Sequence, residues 1–121
     1  MASPDMGTKQ RILEVARRVF AERGVREATV REICGRAGAN VAAVNYHFGG
    51  KDKLFMAVLA DHMDSAQRRY PVDMGLPPEA PARDRLLAYI RSLLHKFVGD
   101  GDPVYEKVGA LLTSEFLSPS E

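Results

Sequence analysis

The chain is poor in the residues that build rigid covalent or aromatic frameworks. Its 121 residues include one cysteine and no tryptophan, with five phenylalanines and four tyrosines as the whole aromatic complement. A lone cysteine, Cys34, excludes an intrachain disulfide and fits a reducing compartment. No apolar run approaches the ~20 residues of a membrane-spanning helix, and the first residues show no signal-peptide pattern. The formal net charge is only +1, so overall charge does not point to a polyanionic partner. Proline is also scarce outside one cluster: four of the seven fall between Pro71 and Pro81. Long stretches are therefore free to be helical.

The charge is nevertheless uneven. Thr8 to Phe55 carries ten Lys or Arg against five Asp or Glu, a balance of +5, while Met56 to Glu121 carries seven against ten, a balance of −3. A basic first half beside a mildly acidic second half suggests that one end meets a polyanion and the other does not. Apolar spacing predicts six helices and no strand. The first runs from about Lys9 to Arg23, with Thr8 as cap, Gly24 past its end, and Ile12, Leu13, Ala16, Val19 and Phe20 inward. The fourth, from near Lys51 to about Arg69, turns Leu54, Phe55, Val58, Leu59, His62, Met63 and Ala66 to one side. A loop follows from Pro71 to Pro81. The fifth helix, Ala82 to Val98, is expected to bury Leu86, Leu87, Ile90, Leu94 and Phe97. After a turn from Gly99 to Pro103, the sixth runs to Leu117 with Val104, Val108, Leu111, Leu112 and Phe116 inward. Ser118-Pro119-Ser120-Glu121 has the pattern of a helix start, from which we expect a continuation beyond Glu121. MASPDMG, residues 1–7, is short and polar and is expected to be a disordered tail.

The most specific stretch is Thr29 to Lys53. Thr29 and Glu32 form a capping box, and Val30, Ile33, Cys34 and Ala37 make one apolar face of the second helix. Gly38 suits the left-handed residue that ends it, and Asn40 suits the cap of a third helix reaching about Phe48. That third helix has no acidic residue. A helix that faces water usually carries both signs of charge. One that enters a DNA groove has reason to exclude carboxylates.

Reading bases in the major groove needs small side chains and an amide or guanidinium that pairs two-fold with a base edge. With Val41, Val44 and Phe48 inward, the candidate base contacts are Asn40, Ala42, Ala43 and Asn45. Asn45 suits adenine, and Ala42 and Ala43 suit thymine methyl groups. Candidate phosphate contacts are Thr29, Tyr46, His47, Lys51 and the N–H groups opening the fourth helix. Gly49 and Gly50 leave room for the sugar-phosphate strand. Each residue taken singly also has a purely structural reading, as solvated amide, half-buried aromatic or hydrogen-bonded histidine. The spacing of the set favours DNA.

These pieces together resemble a known family. ILEVARRVFAERG, AT(V)REI, RAG and NYHFGGKDKLF, within Thr8 to Leu59, are similar to the DNA-binding domain of TetR-family transcriptional regulators. The ANVAAVNYHF version resembles the subgroup of cephalosporin- and chloramphenicol-sensitivity regulators. Many members have Ser-Lys-Gly-Thr-Leu-Tyr where this chain has Asn40 to Asn45, a difference that bears on the operator sequence and leaves the fold intact. The resemblance implies an all-α protein with a helix-turn-helix domain over residues 8–55. Residues 56–121 would then be the first helices of a partial ligand-binding and dimerisation domain. It implies a cytoplasmic homodimer that binds double-stranded DNA at a near-palindromic operator. Repression relieved by a small-molecule effector is the usual mode, with the fourth helix as lever, and no cofactor, membrane or enzymatic activity is implied. Thr29 sits at the family's phosphate-contacting helix start, Tyr46 and His47 match its backbone-clamping pair, and Lys51 matches the lysine opening the fourth helix.

The second half offers weaker signals. His62, Arg68, Tyr89, His95, Tyr105 and Glu115 are candidates to line a ligand pocket, although each also reads as a packing or surface residue. Asp100 and Asp102 lack the further oxygen ligands of a cation site, and His47, His62 and His95 share no metal-ligand spacing, so no metal site is expected. Two other classes stay open on the residues alone. One is a helical enzyme using His62, His95 and Glu115 as acid-base groups. The other is a helical interaction module without a DNA role.

Overall fold

The computed structural model describes residues 4–99 and 101–118. It contains six α-helices, and no strand is found among the described residues. They are α1 (Pro4–Glu27), α2 (Val30–Ala37), α3 (Val41–His47), α4 (Lys51–Arg69), α5 (Ala82–Val98) and α6 (Pro103–Leu117). The chain divides into two compact units, one up to Ala60 and one from Asp61.

α1 begins inside the segment expected to be a tail, so Thr8 lies within the helix and does not cap it. Pro4 suits a first turn, where its missing N–H leaves no hydrogen bond unmade. Residues 1–3 and 119–121 lie outside the described residues, and with them part of the expected tail and most of the helix-start signal at the C-terminus. Gly24 does interrupt the helix as its position predicts: its φ of 77° and ψ of 173° are not helical. One further turn follows, closed by Ala28 N–H on the Gly24 carbonyl at 3.2 Å.

The first unit has a continuous core. Ile12, Ala16, Val19 and Phe20 of α1 are fully buried with Ile33 of α2, Val44 of α3 and Leu54 of α4. Phe20 meets Phe55 edge to face at 5.1 Å between ring centres. Burying a side chain of this size stabilises a fold by about 1.5–3 kcal/mol, and the aromatic geometry adds about 0.5–1.5 kcal/mol. Arg11 Nε donates to the Ala37 carbonyl at 3.2 Å and satisfies one of the free acceptors ending α2. Glu32 accepts from Arg23 at 2.7 Å and Arg36 at 3.0 Å, and Arg36 also meets Glu22 at 3.0 Å. These pairs are solvent-exposed, so each contributes only about 0.2–1 kcal/mol.

The second unit is built on small contacts. His62 and Tyr105 are buried, with ring centres 4.5 Å apart, and Arg69 lies over the Tyr105 ring at 4.8 Å. Ser92 Oγ donates to the Tyr70 carbonyl at 2.6 Å. Asp102 caps α6 by accepting from the N–H groups of Val104 and Tyr105. The inward face expected for α5 is not what this unit buries. Ala88 and Ser92 are buried, while Leu86, Leu87, Ile90 and Leu94 are exposed. Ala88 and Ser92 lie one turn apart, so the close approach uses the small-residue side of α5. The side chain of Phe97 lies outside the described residues. In α6, Val108 is buried as expected but Phe116 is 85% exposed, near the end of the helix. Met63, in the apolar period of α4, is also exposed. No helix among the described residues is long and apolar enough to cross a membrane.

Candidate nucleic-acid interface

The helix pair is shaped by its caps. Thr29 Oγ1 accepts from Glu32 N–H at 3.1 Å and starts α2. α2 ends at Gly38, whose φ of 65° and ψ of 38° are left-handed. The N–H groups of Gly38 and Ala39 both reach the Cys34 carbonyl, the latter at 3.0 Å, which closes the helix and turns the chain within three residues. Asn40 Oδ1 then accepts from Ala43 N–H at 2.9 Å and starts α3. Cys34 packs inside this corner, and burial pushes its thiol pKa up, so it is a packed hydrophobe and not a nucleophile.

Burial fixes the phase of α3. Val44 is fully buried, Ala43 and His47 are half-buried flanks, and Ala42, Asn45 and Tyr46 are exposed. Tyr46 is 80% exposed and stands edge to face with His47 at 5.0 Å. Two expectations change. Val41 is not inward: it is 49% exposed and joins the outer face. It follows a turn of Gly38, Ala39 and Asn40, which has no large side chain to cover it. Asn40 spends its side-chain oxygen on the cap, so only its amide N–H groups remain for an outside partner. The sequence signal for Val41 was its place as the first residue of a seven-residue helix, where packing from the partner helix is thinnest. The Asn45 side chain makes no hydrogen bond among the described residues.

The candidate phosphate contacts lie at the starts of α2 and α4 and on α3 itself. Thr29 is exposed and keeps its hydroxyl proton for donation. Lys51 Nζ donates to the Arg26 carbonyl at 3.2 Å, which ties the start of α4 to the end of α1 and leaves two further N–H donors. α3 ends with Phe48 and Gly49 N–H groups on the Val44 carbonyl. Gly49 and Gly50, with φ of 93° and 125°, then carry the chain into α4. A Cβ on Gly49 would sit 3.0 Å from Lys53 Cδ, so the Lys53 stem runs along this corner. Lys53 is a basic neighbour that sequence reasoning did not single out. Lys9 Nζ lies 5.8 Å over the Phe48 ring.

The residues suggested for a ligand pocket do not gather. A cleft of about 250 Å³ opens in the second unit. α4 contributes His62, Met63, Ala66 and Gln67, and α5 contributes Leu93 and Lys96. α6 closes it with Gly109, Leu112 and Thr113. Of the six candidates only His62 lines it. Tyr105 packs on His62 from behind, His95 stacks on Tyr70 at 4.6 Å, and Tyr89 is exposed. Glu115, like Tyr89 and His95, is outside the lining. Arg68 is exposed and also outside it. Among the described residues no three His, Cys, Asp or Glu side chains come together to hold a metal.

A short helix, a left-handed corner and a second helix with an exposed carboxylate-free face, braced by α1, make a helix-turn-helix DNA-binding domain. Residues 12–58 match the family described as bacterial regulatory proteins, tetR family. The chain is 31% identical to the transcriptional dual regulator CecR of Shigella flexneri over 123 residues, covering 93% of this chain and 52% of CecR. It is 38% identical to the transcriptional regulator SrpR of Pseudomonas putida over 69 residues, 57% of this chain and 32% of SrpR. It is 47% identical to the transcriptional repressor AcnR of Corynebacterium efficiens over 53 residues, 44% of this chain and 28% of AcnR. The chain thus spans about half of the length of CecR and about a third of that of SrpR. Through residues 12–58 the chain belongs to the TetR family of helix-turn-helix transcriptional regulators.

Proposed function

We propose that the full-length protein is a ligand-responsive repressor that works in the cytoplasm as a homodimer. Each copy places α3 in one of two successive major grooves of a near-palindromic operator. The observation that carries this reading is the outer face of α3, where Ala42, Asn45 and Tyr46 stand exposed on a helix with no carboxylate. In this account Asn45 pairs with a base edge, Ala42 and Ala43 pack on thymine methyl groups, and Asn40 donates through its amide nitrogen. Thr29, Tyr46, His47 and Lys51 hold the backbone of the duplex. Residues 8–55 form the DNA-binding domain and residues 56–121 begin the regulatory one. Among the relatives, AcnR is named a repressor and CecR a dual regulator, and repression is the mode we adopt. An effector bound in the regulatory domain acts through α4, a single helix that begins at the DNA-binding unit and ends in the second. A small change in its direction alters half-site spacing, and spacing is a geometric requirement of two-groove binding. Selection of bound sites from a random DNA pool with the full-length protein tests this. A two-fold symmetric consensus supports it, and recovery of unrelated sequences refutes it.

A further inference from the structure

The cleft of the second unit has an uneven chemistry. Its walls are largely apolar, with Ala66 buried and Met63 exposed at the mouth. One side chain that lines it carries a fixed charge, Lys96, and no carboxylate lines it. Lys96 Nζ donates to Gln67 Oε1 at 2.7 Å, across from α5 to α4. That amide is a neutral acceptor. It fixes the ammonium in place without neutralising it, and no carboxylate lies within ion-pair distance of Lys96 among the described residues. The end of the α5 helix dipole offsets part of the charge, as Lys96 lies in the last turn. Gly109, which also lines the cleft, has no side chain, and a Cβ there would lie 3.4 Å from Nε2 of the buried His62, so the imidazole packs close against this glycine.

We propose that this cleft takes a small organic carboxylate, with its anion on Lys96 and its apolar body against Ala66, Leu93 and Leu112. The proposal rests on the ligand-responsive reading above and names the chemical class of the ligand. Size follows from volume. A dry cavity of ~150 Å³ accepts benzene, so about 250 Å³ accepts a body of roughly ten non-hydrogen atoms. A single aromatic ring bearing one carboxylate has this size. A charge-assisted hydrogen bond to Lys96 gives the anion its advantage over a neutral amide of equal shape.

The test is a calorimetric titration of the full-length protein with sodium benzoate and, separately, with benzamide, its neutral isostere. The expected result is saturable benzoate binding at least tenfold tighter than benzamide. Lys96→Met should remove that preference and leave benzamide binding unchanged, and Lys96→Arg should retain it. Gly109→Ala, which narrows the cleft beside His62, should weaken both compounds. Equal affinity for the two compounds, benzoate binding indifferent to Lys96→Met, or no binding of either overturns the proposal. If Lys96→Met does not fold, the benzoate-to-benzamide ratio and the Gly109→Ala variant decide by the same criteria. Operator binding measured in the same samples separates this inference from the reading beneath it. Lys96-dependent benzoate binding that leaves DNA affinity unchanged supports the site and refutes ligand response through it.

Discussion

Asn45→Ala separates reading from folding. Asn45 is exposed on α3 and its side chain has no hydrogen-bond partner among the described residues, so truncation leaves no buried group unsatisfied. Alanine is a better helix former than asparagine by about 0.5 kcal/mol, so the variant should be as stable as the parent or slightly more so. Its cost should appear on DNA. A two-fold contact to a base edge discriminates by about 1–3 kcal/mol, and the symmetric dimer proposed above would make it twice, for a total of roughly 2–6 kcal/mol on the cognate operator. Asn40→Ala is the contrast. Asn40 Oδ1 caps α3 at 2.9 Å, so this change should cost about 1 kcal/mol of stability in thermal or urea unfolding. For Asn45→Ala the assay is binding to the operator and to a panel of single-base variants at one fixed salt concentration. Preference should relax at one base pair per half-site and persist elsewhere. An equal loss on every sequence, or a fall in stability that accounts for the loss, would refute the reasoning.

Three further changes probe the frame around that contact. Lys51→Ala should weaken binding to all sequences and flatten the dependence of log affinity on log salt by about one unit, read by titration at several ionic strengths; an unchanged slope removes Lys51 from the phosphate contacts. Gly38→Ala should destabilise the fold by roughly 1–2 kcal/mol in urea, because a φ of 65° is left-handed and penalises a Cβ even though open space surrounds it. Cys34 should resist thiol reagents until the protein unfolds. Its pKa is raised by burial, so the neutral thiol's contribution to stability is complete below the ordinary thiol pKa and is lost as pH rises through the folded value. Rapid alkylation of the folded protein at neutral pH would contradict this.

The first unit was legible because its local signals agree with one another. The caps at Thr29 and Asn40, the left-handed Gly38 and the break at Gly24 each specify a backbone conformation without help from distant residues. The buried residues of α1, α2 and α4 follow their helical spacing for the same reason. Val41 was misread because one β-branched residue at a helix start carries no periodicity. α5 was misread for a different reason. Its larger apolar side is evident from spacing, but burial depends on which neighbour approaches, and the second unit packs on Ala88 and Ser92. The cleft was the least legible part. Sequence reasoning favoured residues with conspicuous chemistry, such as Tyr89, His95 and Glu115. The lining depends on which helix faces converge, and that brought in Gln67, Lys96 and Thr113 instead.

The most direct test of the central claim is a contact measurement at the outer face of α3. Cys34 is buried, so Ala42→Cys supplies the one accessible thiol among the described residues as the site for a short photo-crosslinker. Irradiation with the selected operator should give cross-links to major-groove bases at one position in each half-site, competed away by unlabelled operator. Cross-links confined to protein, or spread without preference along the duplex, would contradict the placement of α3 in the groove.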